Sequence, residues 1–477
     1  MFTSPRTALL PALTALALLA VGCSAPGSSP EPSGAGQAAP ARTSTSAPTD
    51  PGPRSAGQLA VGKGPVASAT PTAVAGATSG GRPARKSALK ITSFDRRSGR
   101  AVVAAPTRPV KPTPTDKTPT DKTRVRGSLA VGDVIASGPV PGARDGVLAK
   151  VTHVLGTSER GTEVKTAPTT LDTVLGAAEA KGKVPVDPAS MDVEPLVKGV
   201  KVSWSKAGGA RSGPHGTSVP LGSLRLDVGA GIATADDAPA SAAASVSGFV
   251  QLAPEVEFGY DGTGGSGAPG GAYLGLSGDW SSQWQLKGRA AAHTPDGKPL
   301  RMPFAKLHAD PVIQVGPVPV VVNLDLTCYV AVDADGRVSV EVKENVKGDF
   351  RVGGSYSRAR GWHAVSESDI KASPVKARVE AAGKVKATLG AEATVGLYGV
   401  TGVTAELAPY LRGEAEARAT GASDGTGKAV GHWLVAGGMD LSGALLFHLK
   451  IFGTPVFEKR IPLGTLHREW KLAEGSS

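Results

Sequence analysis

Val385-Lys-Ala-Thr-Leu-Gly-Ala-Glu-Ala-Thr-Val-Gly-Leu397 alternates apolar and small or polar side chains along its whole length. A period of two predicts a β-strand with one buried face, because a helix would repeat its apolar positions every 3.6 residues. The same alternation recurs at Val375, Ala377, Val379 and Ala381. The fold class we predict is therefore mostly β, with residues 206–477 forming a large antiparallel β-sandwich or flattened barrel.

A second alternating stretch carries one of the two cysteines of the chain. Leu324, Leu326, Cys328, Val330 and Val332 share one face of a predicted strand. This setting favours a buried, inert thiol, because a reactive one needs a basic and partly exposed environment. We expect residues 333–336 (Asp-Ala-Asp-Gly) to form the turn of a hairpin whose second strand is residues 337–343. Residues 444–452 are predicted to be a further, more hydrophobic strand.

A smaller β-rich domain is predicted over residues 87–205. Two hairpins are expected, one joining residues 88–94 to 100–104 and the other joining 146–154 to 161–166. A short helix should begin after Thr169 and end near Lys181, before Gly182. Residues 106–126 contain the repeated unit Thr-Pro-Thr-Asp-Lys, whose proline density predicts a disordered insert in this domain or a second linker.

The segment before this domain is poor in large apolar residues. Residues 23–86 are rich in Pro, Ser, Ala, Thr and Gly, and such a composition predicts a disordered tether. Residues 1–22 combine Arg6 with a short apolar run, which is typical of a secretory signal peptide and too short to span a bilayer. Residues 1–124 carry 16 Lys and Arg against 5 Asp and Glu, whereas the remainder carries 36 of each sign. A basic tether next to an anionic lipid or wall polymer would be attracted to it.

The apolar run ends in Leu19-Ala-Val-Gly-Cys23. This run resembles the bacterial lipobox, and the resemblance implies that Cys23 receives a diacylglyceryl group and becomes the acylated N-terminus. The leader and tether as a whole are similar to those of uncharacterised lipoproteins of high-GC, streptomycete-like actinobacteria. The resemblance implies export and anchoring at the extracellular face of the cell membrane, and it implies no activity.

Residues with catalytic chemistry do not form a recognisable motif. The eight histidines are dispersed, and Cys-x-x-Cys and His-Glu-x-x-His are absent from the sequence, so no metal site and no cofactor are predicted. Pairs of glutamates two residues apart, at 255 and 257 and at 414 and 416, share a strand face. Such pairs could serve glycoside hydrolysis, but surface ion pairs explain them equally well. The sequence leaves enzymatic activity open, and we name no catalytic residue.

Aromatic side chains give the strongest indication of binding. Trp280 and Trp284 are expected on one face of a strand that Tyr273 precedes, and Trp362 lies in a second aromatic group. Aromatic rings aligned on a sheet can stack on sugars, although packing in the core is the commoner use of tryptophan.

The leading functional hypothesis is a non-catalytic, membrane-anchored extracytoplasmic module that binds an envelope or extracellular ligand, either a glycan or a lipid. The alternative is a carbohydrate-active enzyme on an all-β scaffold, and a third hypothesis is a lipid carrier with an apolar cavity. The covalent lipid on Cys23 makes the membrane one partner, and a cell-wall or extracellular glycan or a lipid is the other. Nucleic acid is not expected, because the basic residues lack interleaved aromatic side chains.

Overall fold

The structure, a computed structural model, describes residues 60–62, 72–76, 84–105, 129–198, 200–206, 211–213, 216–218, 222–233, 241–263, 269–291, 299–380, 383–420, 428–457 and 459–476. All of them belong to one compact unit, Arg54–Ser477. Cys23, the predicted signal peptide and the predicted insert at 106–126 lie outside the described residues. None of the described helices is long and apolar enough to cross a membrane.

The described part of the chain consists mainly of strands. In chain order they are β1 (Ala60–Gly62), β2 (Ala73–Ala75), β3 (Arg85–Lys86), β4 (Lys90–Asp95), β5 (Arg100–Ala104), β6 (Val134–Ser137), β7 (Val147–Ser158), β8 (Gly161–Pro168), β9 (Glu179–Pro185), β10 (Asp192–Pro195), β11 (Val200–Lys206), β12 (Arg211–Gly213), β13 (Gly216–Ser218), β14 (Gly222–Ala233), β15 (Ser241–Asp261), β16 (Gly271–Ala291), β17 (Leu300–Ala309), β18 (Val312–Val315), β19 (Val318–Ser357), β20 (Gly361–Glu380), β21 (Gly383–Leu397), β22 (Val400–Thr420), β23 (Lys428–Leu446), β24 (Arg460–Pro462) and β25 (Leu466–Ser476). One short helix, α1 (Asp172–Leu175), and two 3₁₀ segments, Pro188–Ser190 and Phe447–Phe452, complete these elements.

The largest sheet is antiparallel and folds over on itself into two layers. The first layer contains β9, β11, β14, β15, β16, residues 337–357 of β19 and β20. The second layer contains β10, β17, residues 318–336 of β19, β21, β22, β23 and β25. Side chains of both layers line one common cleft, including Leu326 and Phe350 of the same strand. The layers therefore lie face to face, as the predicted sandwich requires.

The sequence pattern explains the packing of β21. Its alternate residues Val385, Ala387, Leu389 and Ala393 are buried, whereas Glu392 is exposed. Successive side chains of a strand point to opposite faces, so the apolar set of β21 covers the inner face of the second layer. On β19, Leu326 and Cys328 are buried in the same core, which confirms the predicted placement of the thiol.

A separate seven-stranded sheet packs beside the folded sheet. Its strand order is β3-β2-β6-β7-β8-β5-β4, and it includes both hairpins predicted near residues 88–104 and 146–166. This smaller sheet has its own core, while Ala73 and Ala136 pack into the core of the large sheet together with Val321. At Gly146, with φ +79°, an added Cβ would lie 2.5 Å from Val321 Cγ2, so glycine permits this close approach.

One prediction about a connection between strands is wrong. The expected hairpin at residues 333–336 is a continuation of β19, whose two halves pair with other strands and not with each other. The smaller sheet ends with β8, before the predicted boundary at 205, and β9, β10 and β11 pair with the large sheet. Strands β1, β2 and β3 occupy parts of the segment predicted to be a disordered tether.

Two local predictions need smaller corrections. Helix α1 ends at Leu175 and not near Lys181, because Gly176 adopts φ +54° and the chain then enters β9. The predicted strand at 444–452 stops at Leu446, and a 3₁₀ segment follows to Phe452. Phe452 then packs between Phe258 and Trp362, so tertiary packing replaces the extended conformation that the apolar run favours.

Candidate functional site

The aromatic residues singled out in the sequence lie in different environments. Trp280 is 3% exposed and Trp362 is 8% exposed. The Trp362 indole N–H donates a hydrogen bond to Thr454 Oγ1 at 2.8 Å. Both indoles therefore lie in the core and do not offer a ring face to a sugar. Trp284 lies on β16, but its side chain is outside the described set.

Tyr273 is partly exposed on the outer face of the first layer, in a charged cluster. The Arg351 guanidinium lies 4.8 Å from the centre of its ring, and Arg351 Nε donates to Glu257 at 2.8 Å. Lys183 is also paired with Glu257, at 3.0 Å. Burial alone would raise the pKa of Glu257, but the hydrogen bonds from Arg351 and Lys183 outweigh it and lower the pKa. Because a glycosidase acid needs a raised pKa, Glu257 does not fit that role.

The same arrangement of tyrosine, cation and carboxylate recurs on the second layer. Tyr329 lies across Gly390, with Arg301 over its ring at 3.6 Å and its hydroxyl donating to Glu406 at 2.5 Å. Tyr410 lies across Gly438 in the same way and donates to Glu469 at 2.8 Å. An aromatic ring that covers a cross-strand glycine is a known way of completing a sheet surface. We therefore assign these clusters to stability.

The second predicted glutamate pair is also committed to ion pairs. Glu414 contacts Arg412 and lies 3.4 Å from Lys384. Burial alone would raise the pKa of Glu414, but the hydrogen bond from Arg412 outweighs it and lowers the pKa. Its neighbour Glu416 is exposed. As with Glu257, the lowered pKa of Glu414 does not suit a general acid.

A narrow apolar cleft separates the two layers of the sandwich. Its lining is entirely apolar and consists of Leu252, Pro254, Leu276, Leu326, Phe350, Val352, Ala391, Ala393, Ala405, Leu407 and Leu441. The empty space, counted out to the open mouth, is about 440 Å³, but only about 30 Å³ of it has room for water-sized molecules. Three alanines on the second layer face larger side chains on the first, and this leaves the cleft incompletely filled.

Two buried polar atoms lie further along the inner face of the first layer. Trp280 Nε1 and Ser282 Oγ have no hydrogen-bond partner among the described residues. Both side chains are 3% exposed. Trp280 is four strand residues beyond Leu276 of the cleft, about 13 Å away at the usual rise. A buried polar group without a partner costs about 1–3 kcal/mol, so these two atoms would gain from a ligand that accepts or donates hydrogen bonds.

A second depression, which we call the acidic groove, lies on the outer face of the second layer next to the smaller sheet. Its volume is about 590 Å³. It is lined by Arg144, Asp145, Asp192, Val193, Glu194, Lys306, Leu307, His308, Asp325, Leu326 and Thr327. Residues from the smaller sheet, β10, β17 and β19 thus meet here, although they are far apart in sequence.

His308 is the central residue of the acidic groove. Its Nδ1 lies 2.7 Å from Asp325 Oδ1 and its Nε2 lies 2.9 Å from Asp310 Oδ2. Burial alone would lower the pKa of His308, but the hydrogen bonds with Asp325 and Asp310 outweigh it and raise the pKa. Asp310 is fixed in turn by Asn323, whose Nδ2 donates to Asp310 Oδ1 at 2.7 Å.

A β-bulge brings His308 to this face. The register of β17 against β19 shifts between Pro303 and Ala305. Before the shift Pro303 faces outward opposite Tyr329, and after it His308 faces outward opposite Asp325. Without the extra residue, strict alternation would turn His308 into the core. Proline favours such an irregularity because it has no N–H to donate to the ladder.

The sequence did not reveal this group of residues. Motifs of paired histidines or cysteines do not describe it, because the groove combines one histidine with carboxylates from four chain segments. The only local signal was His308-Ala-Asp310 at the end of a strand. No protein-family model, curated protein or solved structure matches this chain.

Proposed function

We propose that the protein is a non-catalytic module, lipid-anchored through Cys23 at the extracellular face of the cell membrane, that binds an acyl-chain lipid of the envelope between its two layers. The observation that carries the proposal is the wholly apolar cleft, open at its mouth and lined from both layers. Ligand sites are typically apolar with a few polar groups that fix orientation. Trp280 Nε1 and Ser282 Oγ supply such groups on the same inner face.

Binding would require the layers to separate. The 30 Å³ available to water-sized molecules is about enough for one water molecule, far less than an acyl chain needs. Small side chains at Ala391, Ala393 and Ala405 make this separation less costly, because few interdigitating contacts have to break. The acyl chain would replace those contacts, and an ester carbonyl could accept from the Trp280 indole.

A lipid ligand is better supported than a glycan. Four aromatic residues were expected to bind a ligand. Two of them, Trp280 and Trp362, are buried and cannot stack on a sugar ring. Tyr273 is covered by Arg351 and lies over glycines of its own sheet, which leaves little of its ring free for stacking.

Solvent extraction and mass spectrometry of the full-length lipoprotein test the proposal. Extraction removes only lipid that is not covalently attached, so the acyl groups on Cys23 do not interfere. We expect about one extracted lipid per chain, and saturable uptake of a spin-labelled fatty acid by chains stripped of lipid. Ala391→Leu adds three carbon atoms to the cleft and should weaken this uptake roughly tenfold, about 1.4 kcal/mol.

The matched control is Thr388→Leu, which adds bulk to the same strand on its outer face. It should leave uptake unchanged. Equal loss of uptake in both variants, or no extractable lipid and no uptake by the wild-type chain, would reject the cleft as a lipid site.

A further inference from the structure

Asp145, His308 and Asp310 each place a potential ligand atom within 4.8 Å of the other two. We infer that these three side chains bind a divalent transition-metal ion of the zinc class. The site lies on the outer face of the second layer and is separate from the apolar cleft. It therefore does not depend on the function proposed above.

The surrounding hydrogen bonds orient the ligands for metal binding. Asp325 occupies the Nδ1 side of His308, which directs Nε2 toward Asp310 Oδ2. A carboxylate on the far nitrogen of a metal-binding imidazole is the usual supporting contact, because it fixes the ring and makes the free nitrogen more basic. Asn323 holds the other oxygen of Asp310 at 2.7 Å, so Oδ2 remains turned to the imidazole.

Asp145 completes the set from the smaller sheet. It occupies the turn before β7, where Gly146 at φ +79° allows the backbone to approach the second layer. Arg96 pairs with Asp145 Oδ2 at 3.0 Å and also donates to the Gly146 carbonyl oxygen at 3.2 Å. The carboxylate is thereby held in place at the edge of the groove, and an ion bound here would link the two sheets.

The ligand types select the metal. One imidazole nitrogen with two carboxylate oxygens suits Zn²⁺ and its transition-metal neighbours, whereas Ca²⁺ and Mg²⁺ prefer oxygen ligands alone. Zn–N and Zn–O bonds of about 2.0–2.2 Å place tetrahedral ligand atoms about 3.3–3.6 Å apart. His308 Nε2 and Asp310 Oδ2, now 2.9 Å apart, would therefore separate slightly, and the Asp145 oxygen, which lies within 4.8 Å of both, would move closer. Three protein ligands leave at least one coordination position for a water molecule or a ligand oxygen from the groove.

The charge of the groove also favours a dication. Carboxylates exceed the nearby cationic side chains by two, not counting His308. The carboxylates are Asp145, Asp192, Glu194, Asp310 and Asp325, and the cations are Arg96, Arg144 and Lys306. A bound Zn²⁺ would neutralise this excess.

The test uses the full-length chain without a histidine tag. Equilibrium dialysis against ZnCl₂ at neutral pH should give one tightly bound Zn²⁺ per chain, with no comparable retention of Mg²⁺ or Ca²⁺. His308→Gln and Asp310→Asn should each weaken binding at least roughly tenfold, and Asp325→Asn should weaken it about 10–100-fold as a supporting carboxylate. Thermal unfolding of each variant without metal establishes that it is folded.

His467→Gln is the matched control, because His467 also pairs with one carboxylate, Asp440 at 2.6 Å, but lies outside the groove. It should bind Zn²⁺ like the wild type. X-ray absorption at the zinc edge of the wild-type chain needs no variant, and it should show one imidazole and otherwise oxygen ligands. Absence of stoichiometric binding, equal loss in His467→Gln, or an absorption spectrum without an imidazole would each overturn the assignment.

Discussion

Gly390→Ala should destabilise the protein through a side chain on the neighbouring strand. A Cβ at position 390 would lie 2.2 Å from Tyr329 Cζ, whereas carbon atoms in contact are about 3.5–4.0 Å apart. The tip of the ring must therefore move by more than about 1 Å. That movement breaks the hydrogen bond from the Tyr329 hydroxyl to Glu406, now 2.5 Å, and the stacking of Arg301 at 3.6 Å.

The expected cost follows from these two contacts. A hydrogen bond to a charged group contributes about 1.5–3 kcal/mol, and a partly exposed cation–π contact contributes about 0.5–1 kcal/mol. The alanine itself stabilises the folded state by about 0.5–1 kcal/mol, because it lowers the conformational entropy of the unfolded chain relative to glycine. We therefore expect the free energy of unfolding to fall by about 2 kcal/mol.

Urea unfolding followed by tryptophan fluorescence measures this change as a shift of the midpoint at an unchanged m-value. Gly156→Ala is the control, because nothing lies within 4 Å of its added Cβ and its φ is ordinary. That variant should be neutral or slightly stabilised. If Gly390→Ala comes within about 0.5 kcal/mol of the control, Tyr329 does not depend on the glycine beneath it.

Three further predictions concern single residues. Glu257→Gln should cost roughly 2–3 kcal/mol at pH 7, because Arg351 and Lys183 lose a buried counter-charge. The lowered pKa of Glu257 means that the wild type loses this stability as pH falls below about 4.5, so the unfolding curves of the two proteins should converge in acid and not at neutral pH. Cys23→Ala should move the protein from the membrane to the soluble fraction and abolish palmitate labelling; retention of both would refute lipidation at Cys23. Burial raises the pKa of Cys328 to about 12, so a thiol reagent at pH 8 should modify the unfolded chain but not the folded one.

The strand content of the large sheet follows from its sequence, but the path of β19 does not. The alternation that predicts β21 is also its burial pattern. In β19 the even-numbered residues whose side chains the structure describes face the interior on both sides of residues 333–336, as Leu326 and Val352 do. A hairpin within one sheet and a strand that passes from one layer to the other produce the same alternation. Local sequence therefore cannot distinguish a hairpin from a continuous strand. The strands that pair with each half of β19 determine which of the two forms.

The acidic groove could not be predicted for a different reason. Asp145 comes from the smaller sheet, His308 and Asp310 from the end of β17, and Asp325 from β19. Only the register of β17 against β19 brings His308 opposite Asp325, and that register depends on the bulge at Pro303. A bulge inserts one residue without any change in composition, so a strict two-residue period would assign His308 to the core.

The cleft and the groove are physically connected through β19. Leu326 lines both of them, and its neighbour Asp325 contacts His308. A ligand that separates the layers would push on Leu326 of β19. A metal ion that holds His308 would resist this movement, because His308 contacts Asp325 of the same strand. Because any such coupling must be reciprocal, lipid uptake should be measured with and without Zn²⁺. A dependence of one on the other would support coupling through β19, where Leu326 lines the cleft and Asp325 contacts His308.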